Sequence, residues 1–182
     1  SSCGSGGGSG AAGKPGMQQP QRQYVTFSRT YGGALTNEYA GRTIQTTDGG
    51  YITGGSMYDE GFDPHGWLMK TDAYGNKLFE EFFGNTDKPY DINSIELAPD
   101  GGILTVGRKV VPATGIDALA MKFDASGNML WEKTIYAGIS SEEGVVVRNA
   151  PGGGFFVGGN TASSSAARVY DFLVVKIDDQ GN

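Results

Sequence analysis

Side chains able to do covalent or metal chemistry are few, and their spacing constrains them sharply. His65 is the single histidine and Cys3 the single cysteine. A nucleophile–histidine–acid triad would have to use His65, with Asp63 its adjacent acid in Gly61-Phe62-Asp63-Pro64-His65-Gly66-Trp67. A triad is defined by three groups within mutual reach, and one neighbouring acid does not define it. His65 reads as a loop histidine. One cysteine forms no intrachain disulfide and no cysteine-based zinc site, and one histidine forms no histidine cluster. Carboxylates for glycoside hydrolysis stand at Asp59, Glu60, Asp87 and Asp91, but no spacing selects a pair with the separation that chemistry needs. Glu142 and Glu143 read as a solvated loop. The runs GGGSG and PGGGFF lack the Lys-Ser/Thr that a phosphate loop carries.

Calcium is the one cofactor worth weighing. Asp72, Asp124 and Asp178 each open a D-x-x-G-N sequence. Calcium loops carry three or more alternating acids, whereas these carry little more than one Asp and one Asn. They are expected to be β-turns in which Asp bonds its own backbone and Gly is left-handed. No cofactor is expected.

These turns belong to a repeat, and the repeat must position everything else. Gly50, Gly102 and Gly154 lie 52 residues apart, as do Gly55, Gly107 and Gly159. Phe27, Phe79 and Trp131 keep the same interval, and Lys70, Lys122 and Lys176 keep it within two residues. Each lysine is expected to pair with an acid on its own sheet. The units span about 27–78, 79–130 and 131–182.

Within a unit, short β-branched or aromatic segments alternate with Gly/Asn/Asp turns, the pattern of an all-β protein. YVTFSRTY (24–31) alternates like a strand and aligns with 77–84 and 129–136. Strands are also predicted near 42–47 and 51–56, joined by Asp48-Gly49-Gly50. The Asp is a turn former, since Gly152 replaces it in the third copy. Segments 57–65, 108–116 and 160–170 differ between copies and read as variable loops, where a repeat scaffold carries its specific contacts. Tyr58, Phe62, His65, Trp67 and Tyr170 are the candidate binding residues there. Aromatics suit protein or sugar contacts, with half-buried packing the alternative role.

Four strands per unit predict propeller-type blades, three in number, packed face to face. The alternative is a β-trefoil or β-prism with threefold pseudo-symmetry. Ile44, Ile52, Leu68, Ile95, Leu104, Leu119, Val146, Phe156 and Leu173 are expected between blades, with the repeated glycines letting blades approach closely.

The chain carries net −6, and its first 23 residues hold two bases and no acid. The acidic remainder has no basic stripe, which argues against nucleic acid as a partner. Residues 1–23 are Gly, Ser, Pro and Gln-rich and read as a flexible tether. Residues 24–182 form the repeat domain. Cys3 ahead of a Gly/Ser run is similar to the lipid-bearing cysteine of bacterial lipoproteins, although Ser1 and Ser2 precede it here.

The motifs D-G-G-[YIF]-x-x-x-G, W-L-M-K-T-D-x-x-G-N and L-W-E-K-T resemble a family of bacterial secreted or surface β-propeller repeat proteins. The resemblance covers about 24–182. Copy one is followed by Phe79 in place of Trp, and copy three lacks the turn Asp. It implies an extracellular, cell-surface or outer-membrane location by lipid tether, and it carries no functional residues over. The expected function is a non-enzymatic binding or assembly module, with protein or carbohydrate at the cell surface as partner and membrane contact only through the lipid. The alternative is a polysaccharide-active lyase or hydrolase on the same scaffold.

Three blades are fewer than the four to eight of closed propellers. Either residues 24–31 complete the third blade, between two chains if closure gives a six-bladed dimer, or the chain belongs to a longer repeat array.

Overall fold

The turn sequences dictate where the strands stop. In the computed structural model, which describes residues 26–61, 64–85, 88–112, 115–136, 141–164 and 169–182, every described regular element is a strand. Three antiparallel sheets form in chain order. The first holds β1 (Asn37–Gln45), β2 (Tyr51–Tyr58), β3 (Pro64–Thr71) and β4 (Lys77–Phe83). The second holds β5 (Tyr90–Leu97), β6 (Ile103–Val111), β7 (Gly115–Phe123) and β8 (Met129–Tyr136). The third holds β9 (Glu142–Asn149), β10 (Phe155–Ser164) and β11 (Val169–Ile177). Each is a meander, and among the described residues the strands close no barrel.

The D-x-x-G-N turns fold as their residues require. Asp72 Oδ1 accepts from the backbone N–H of Tyr74 and of Asn76, and its Oδ2 accepts from the Asn76 side chain. Asp124 and Asp178 repeat the arrangement with Asn128 and Asn182. The glycine of each turn is left-handed, with φ of 78°, 91° and 80° at Gly75, Gly127 and Gly181.

The core lies between sheets. Ile52 and Leu68 of the first sheet pack with Ile92, Ile95, Ile103, Leu119, Met121 and Phe123 of the second. Leu104, Val106 and Ala120 on the opposite face of the second sheet pack with Val147, Phe155, Val157 and Ile177 of the third. The middle sheet is thus covered on both faces, and β7 is buried almost throughout. Lys122 is drawn into this layer at 2% exposure, its Nζ 3.0 Å from Asp100 and above the Phe155 ring. Lys70 pairs likewise with the turn acid Asp48 at 3.0 Å. Gly152 stands where the third acid would be, and Lys176 lies over the Phe156 ring instead.

Several expectations need correction. Residues 26–31 form no strand, although they align with β4 and β8, because among the described residues no strand lies beside them to complete a ladder. The third sheet has three strands, not four. The segments read as variable loops are mostly hairpin: β2 runs to Tyr58, β3 starts at Pro64, β6 runs to Val111 and β10 to Ser164. Glu142 and Glu143 belong to β9, with Glu142 fully buried. Val146 and Phe156 are exposed, because nothing described covers the outer face of the third sheet. Gly55, Gly107 and Gly159 do not separate sheets: a Cβ on any of them would overlap the carbonyl oxygen of Tyr39, Asp91 or Glu143 on the neighbouring strand of the same sheet. The tether, residues 1–23, lies outside the described residues, as does Cys3.

Candidate functional site

Those three glycines create the most structured polar site. With no side chain in the way, the first strand of each sheet bulges against the second, and the register shifts between Ala40 and Arg42, between Ile92 and Ser94, and between Gly158 and Gly159. Bulges re-aim the side chains beside them. Just before each bulge stands a cross-strand pair: Tyr39 opposite Ser56, Asp91 opposite Arg108, Glu143 opposite Asn160. Neighbouring bulges also touch. The Asn93 side-chain amide donates to the Gly144 carbonyl at 2.9 Å, and a Cβ on Gly41 would come 2.7 Å from the Ile92 carbonyl oxygen. The result is a recess of about 300 Å³ lined by Tyr39, Tyr58, Asp91, Asn93, Arg108 and Glu143 among others.

Asp91 is its centre. Its side chain is 9% exposed. Oδ1 accepts from the Tyr58 hydroxyl at 3.0 Å, and Oδ2 accepts from Arg108 Nε at 2.8 Å and lies 2.7 Å from Nη2. Both of these guanidinium nitrogens converge on one carboxylate oxygen, a charge-assisted contact that leaves the other oxygen to Tyr58. Arg108 Nη1 lies 3.8 Å from Glu143 Oε2, and Glu143 Oε1 accepts from the Asn160 amide at 3.2 Å. One guanidinium therefore bridges carboxylates of two adjacent sheets, while Tyr58 reaches Asp91 from a third strand system. The rings of Tyr39 and Tyr58 meet edge to face at 5.4 Å.

The charges are fixed by these contacts. Burial works against the Arg108 cation, but the hydrogen bond and charge of Asp91, helped by Glu143, outweigh it and raise the pKa. Burial and then the Asp91 charge push the Tyr58 phenol up. The recess offers the Arg108 guanidinium, the carboxyl groups of Asp91 and Glu143, the phenols of Tyr39 and Tyr58 and the Asn93 amide. That set can hold a polar ligand by hydrogen bonds. Both Asp91 oxygens are already engaged, and no nucleophile–base pair stands in the recess.

Of the residues singled out in the sequence, the recess gathers Tyr58 and Asp91 alone. His65 is on β3, its Nε2 3.5 Å from Asp59 Oδ2. Trp67, also on β3, is buried and donates from Nε1 to Glu80 Oε1 at 3.0 Å, which fits the half-buried packing weighed as its alternative role. Tyr170 lies exposed on β11 of the third sheet. Phe62, Asp63 and Asp87 lie outside the described residues, and Glu60 is in an exposed turn. The turn carboxylates of Asp72, Asp124 and Asp178 are occupied by their own turns. Among the described residues, no three His, Cys, Asp or Glu side chains cluster to hold a metal. Arg108, Asn93 and Glu143 were not singled out as a site. Arg108 alone of these carries a positional signal, following the aligned Gly107 as Ser56 and Asn160 follow Gly55 and Gly159.

Comparison with known proteins finds no matching family model and no matching curated protein.

Proposed function

We propose that the protein is a non-enzymatic assembly module, built of stacked propeller-type blades, that works by packing the exposed face of its third sheet against a further sheet or a partner. One observation carries this reading. Phe156, Gly158, Phe172 and Val174 of the third sheet stand at the repeat positions of Ile52, Gly54, Gly66 and Leu68 in the first and of Leu104, Val106, Ala118 and Ala120 in the second. The earlier eight are all buried, seven of them against the next sheet. In the third sheet Phe172 is 79%, Val174 60% and Phe156 42% exposed, with Val146 beside them. A contiguous apolar face of this kind is an interaction surface. Setting at a bacterial cell surface, with Cys3 as the lipid-bearing residue, belongs to the same reading.

The test is carbene footprinting of Phe172 and Val174. Strong labelling in the dilute purified chain and protection in native extracts is the expected pair of results. Equal labelling in both would contradict the reading.

The recess favours a second role, binding of a polar ligand such as a carbohydrate, because Arg108, Tyr58 and Asn93 line it with their geometry set by hydrogen bonds. A lyase or hydrolase is the alternative, with the Glu143 carboxyl and the Tyr39 and Tyr58 phenols the groups in the recess that would move a proton. Turnover of a polysaccharide that Arg108→Ala abolishes would reverse that ranking.

A further inference from the structure

The recess at the bulges has a charge balance that restricts what it can hold. Asp91 and Glu143 are its two acids and Arg108 its one base. Asp91 is committed on both oxygens, to the Tyr58 hydroxyl on one side and to Nε and Nη2 of Arg108 on the other. Arg108 Nη1 is turned toward Glu143 instead. It lies 3.8 Å from Oε2, beyond the range of a direct hydrogen bond. Solvent reaches both partners of this looser contact, with side-chain exposures of 40% and 33%. A strong donor and a strong acceptor thus stand side by side without being bonded to each other.

An aromatic surface completes the recess. Tyr39 lines it and is 61% exposed. Its ring is held edge to face with Tyr58 at 5.4 Å, and Tyr58 is held through its hydroxyl by Asp91. The carboxylate that orients Arg108 therefore also braces the ring. The parts come from different sheets: Tyr39 from the first, Asp91 and Arg108 from the second, Glu143 from the third. Positions 39, 91 and 143 correspond in the repeat but hold different residues, so the set occurs once in the stack.

Three ligand chemistries compete for this set. An anion would gain Arg108 but meet Glu143 beside it and Asp91 behind it, so two acids oppose one base. An ammonium group would gain Glu143 and a tyrosine face, but it would meet the Arg108 cation and has no acceptor to offer Nη1. A hydroxyl both donates and accepts. Two neighbouring hydroxyls can take a hydrogen bond from Nη1 and give one to Glu143 at the same time, with no net charge to oppose. A ring that carries such hydroxyls at its edge has C–H faces, which pack on an exposed aromatic ring.

We infer that the recess binds an uncharged pyranose sugar, stacked on Tyr39, with Arg108 and Glu143 reading two adjacent hydroxyls. This rests on the reading of the recess as a polar-ligand site and narrows it to one class of carbohydrate. Acidic and amino sugars are refused by the same pair that holds the neutral ring.

Amide NMR of the isotope-labelled full chain tests this. The probes are gluco-, galacto- and manno-configured tetrasaccharides, each as the neutral sugar, the uronate and the amino sugar. At least one neutral probe should shift the amides of Tyr39, Gly41, Asn93 and Arg108, and its uronate and amino-sugar counterparts should leave them in place. Tyr39→Ala should weaken the neutral probe about tenfold, and Tyr39→Phe should bind as the wild type does. Because Tyr39 is exposed, amides away from the recess should keep their positions in both variants. A uronate or an amino sugar that binds as tightly as its neutral counterpart overturns the inference and leaves the recess a polar-ligand site. A neutral probe that binds Tyr39→Ala undiminished, or shifts amides only elsewhere, overturns it as well. No shift from any probe removes both the inference and the ligand-binding role of the recess, and leaves the assembly reading of the third sheet standing.

Discussion

Phe79 of the first sheet lies against Gly127 in a turn of the second, close enough that a Cβ on the glycine would be 2.8 Å from the ring. The glycine is also left-handed, with φ of 91°. Two requirements thus meet at one residue, a turn that disfavours side chains and an aromatic lid that excludes them. Gly127→Ala should cost about 1–2 kcal/mol from the backbone alone, and more once the ring is displaced. Chemical denaturation checks this. A loss below about 0.5 kcal/mol would mean the lid is not a fixed contact.

Gly107 is held for a different reason. Its φ is ordinary, but a Cβ would overlap the Asp91 carbonyl oxygen across the bulge. Gly107→Ala should cost about 2–4 kcal/mol, since backbone cannot give way as a side chain can. Because Asp91 and Arg108 flank this contact, the same substitution should loosen the recess. Faster amide exchange at residues 91–94 is the expected accompanying result.

The Asp91–Arg108–Tyr58 cluster should matter to stability more than a surface ion pair. Asp91→Ala leaves a half-buried guanidinium and a half-buried phenol without this acceptor. Solvent reaches Arg108, which discounts the penalty of a fully buried pair. The expected loss is about 1–3 kcal/mol, and Asp91→Asn should recover part of it by keeping an acceptor for Tyr58. Equal losses for Ala and Asn would show that the hydrogen bonds are not what the carboxylate supplies.

Acid sensitivity should come from the hairpin turns. Asp48 is held down to about 2 by the Thr46 hydroxyl, the Gly50 N–H and Lys70. Asp100 is lowered by the Gly102 N–H and then Lys122. A carboxyl whose folded pKa lies below its unfolded value of about 3.9 stabilises the fold above that value, and the contribution disappears as pH falls through the folded pKa. Tm should therefore fall between about pH 4 and pH 2, and Asp48→Asn should flatten part of that fall. An identical acid slope in wild type and variant would assign the sensitivity elsewhere.

The sheets were legible because their anchors recur in kind. Gly50, Gly102 and Gly154 each back onto a carbonyl of the third strand, at Thr71, Phe123 and Ile177, so a geometric need leaves a repeated letter. The D-x-x-G-N turns are legible for the same reason. The recess was not, because positions 39, 91 and 143 hold Tyr, Asp and Glu, and positions 56, 108 and 160 hold Ser, Arg and Asn. A site whose members differ between copies leaves no period to find. Strand ends were missed where Pro64 and Gly115 begin β3 and β7, since both residue types signal loops. Residues 26–31 have the letters of a strand, but a strand also needs a neighbour to pair with.

The account turns on the outer face of the third sheet, and Phe172→Lys with Val174→Lys tests it most directly. Both side chains are largely exposed, so the purified variant should keep its fold, within about 0.5 kcal/mol of wild type. Two lysines on an apolar interface should shift the protein in native extracts from its assembled size to that of the free chain in size-exclusion chromatography. An unchanged assembled size, with the fold intact, would contradict the claim that this face is where the protein works.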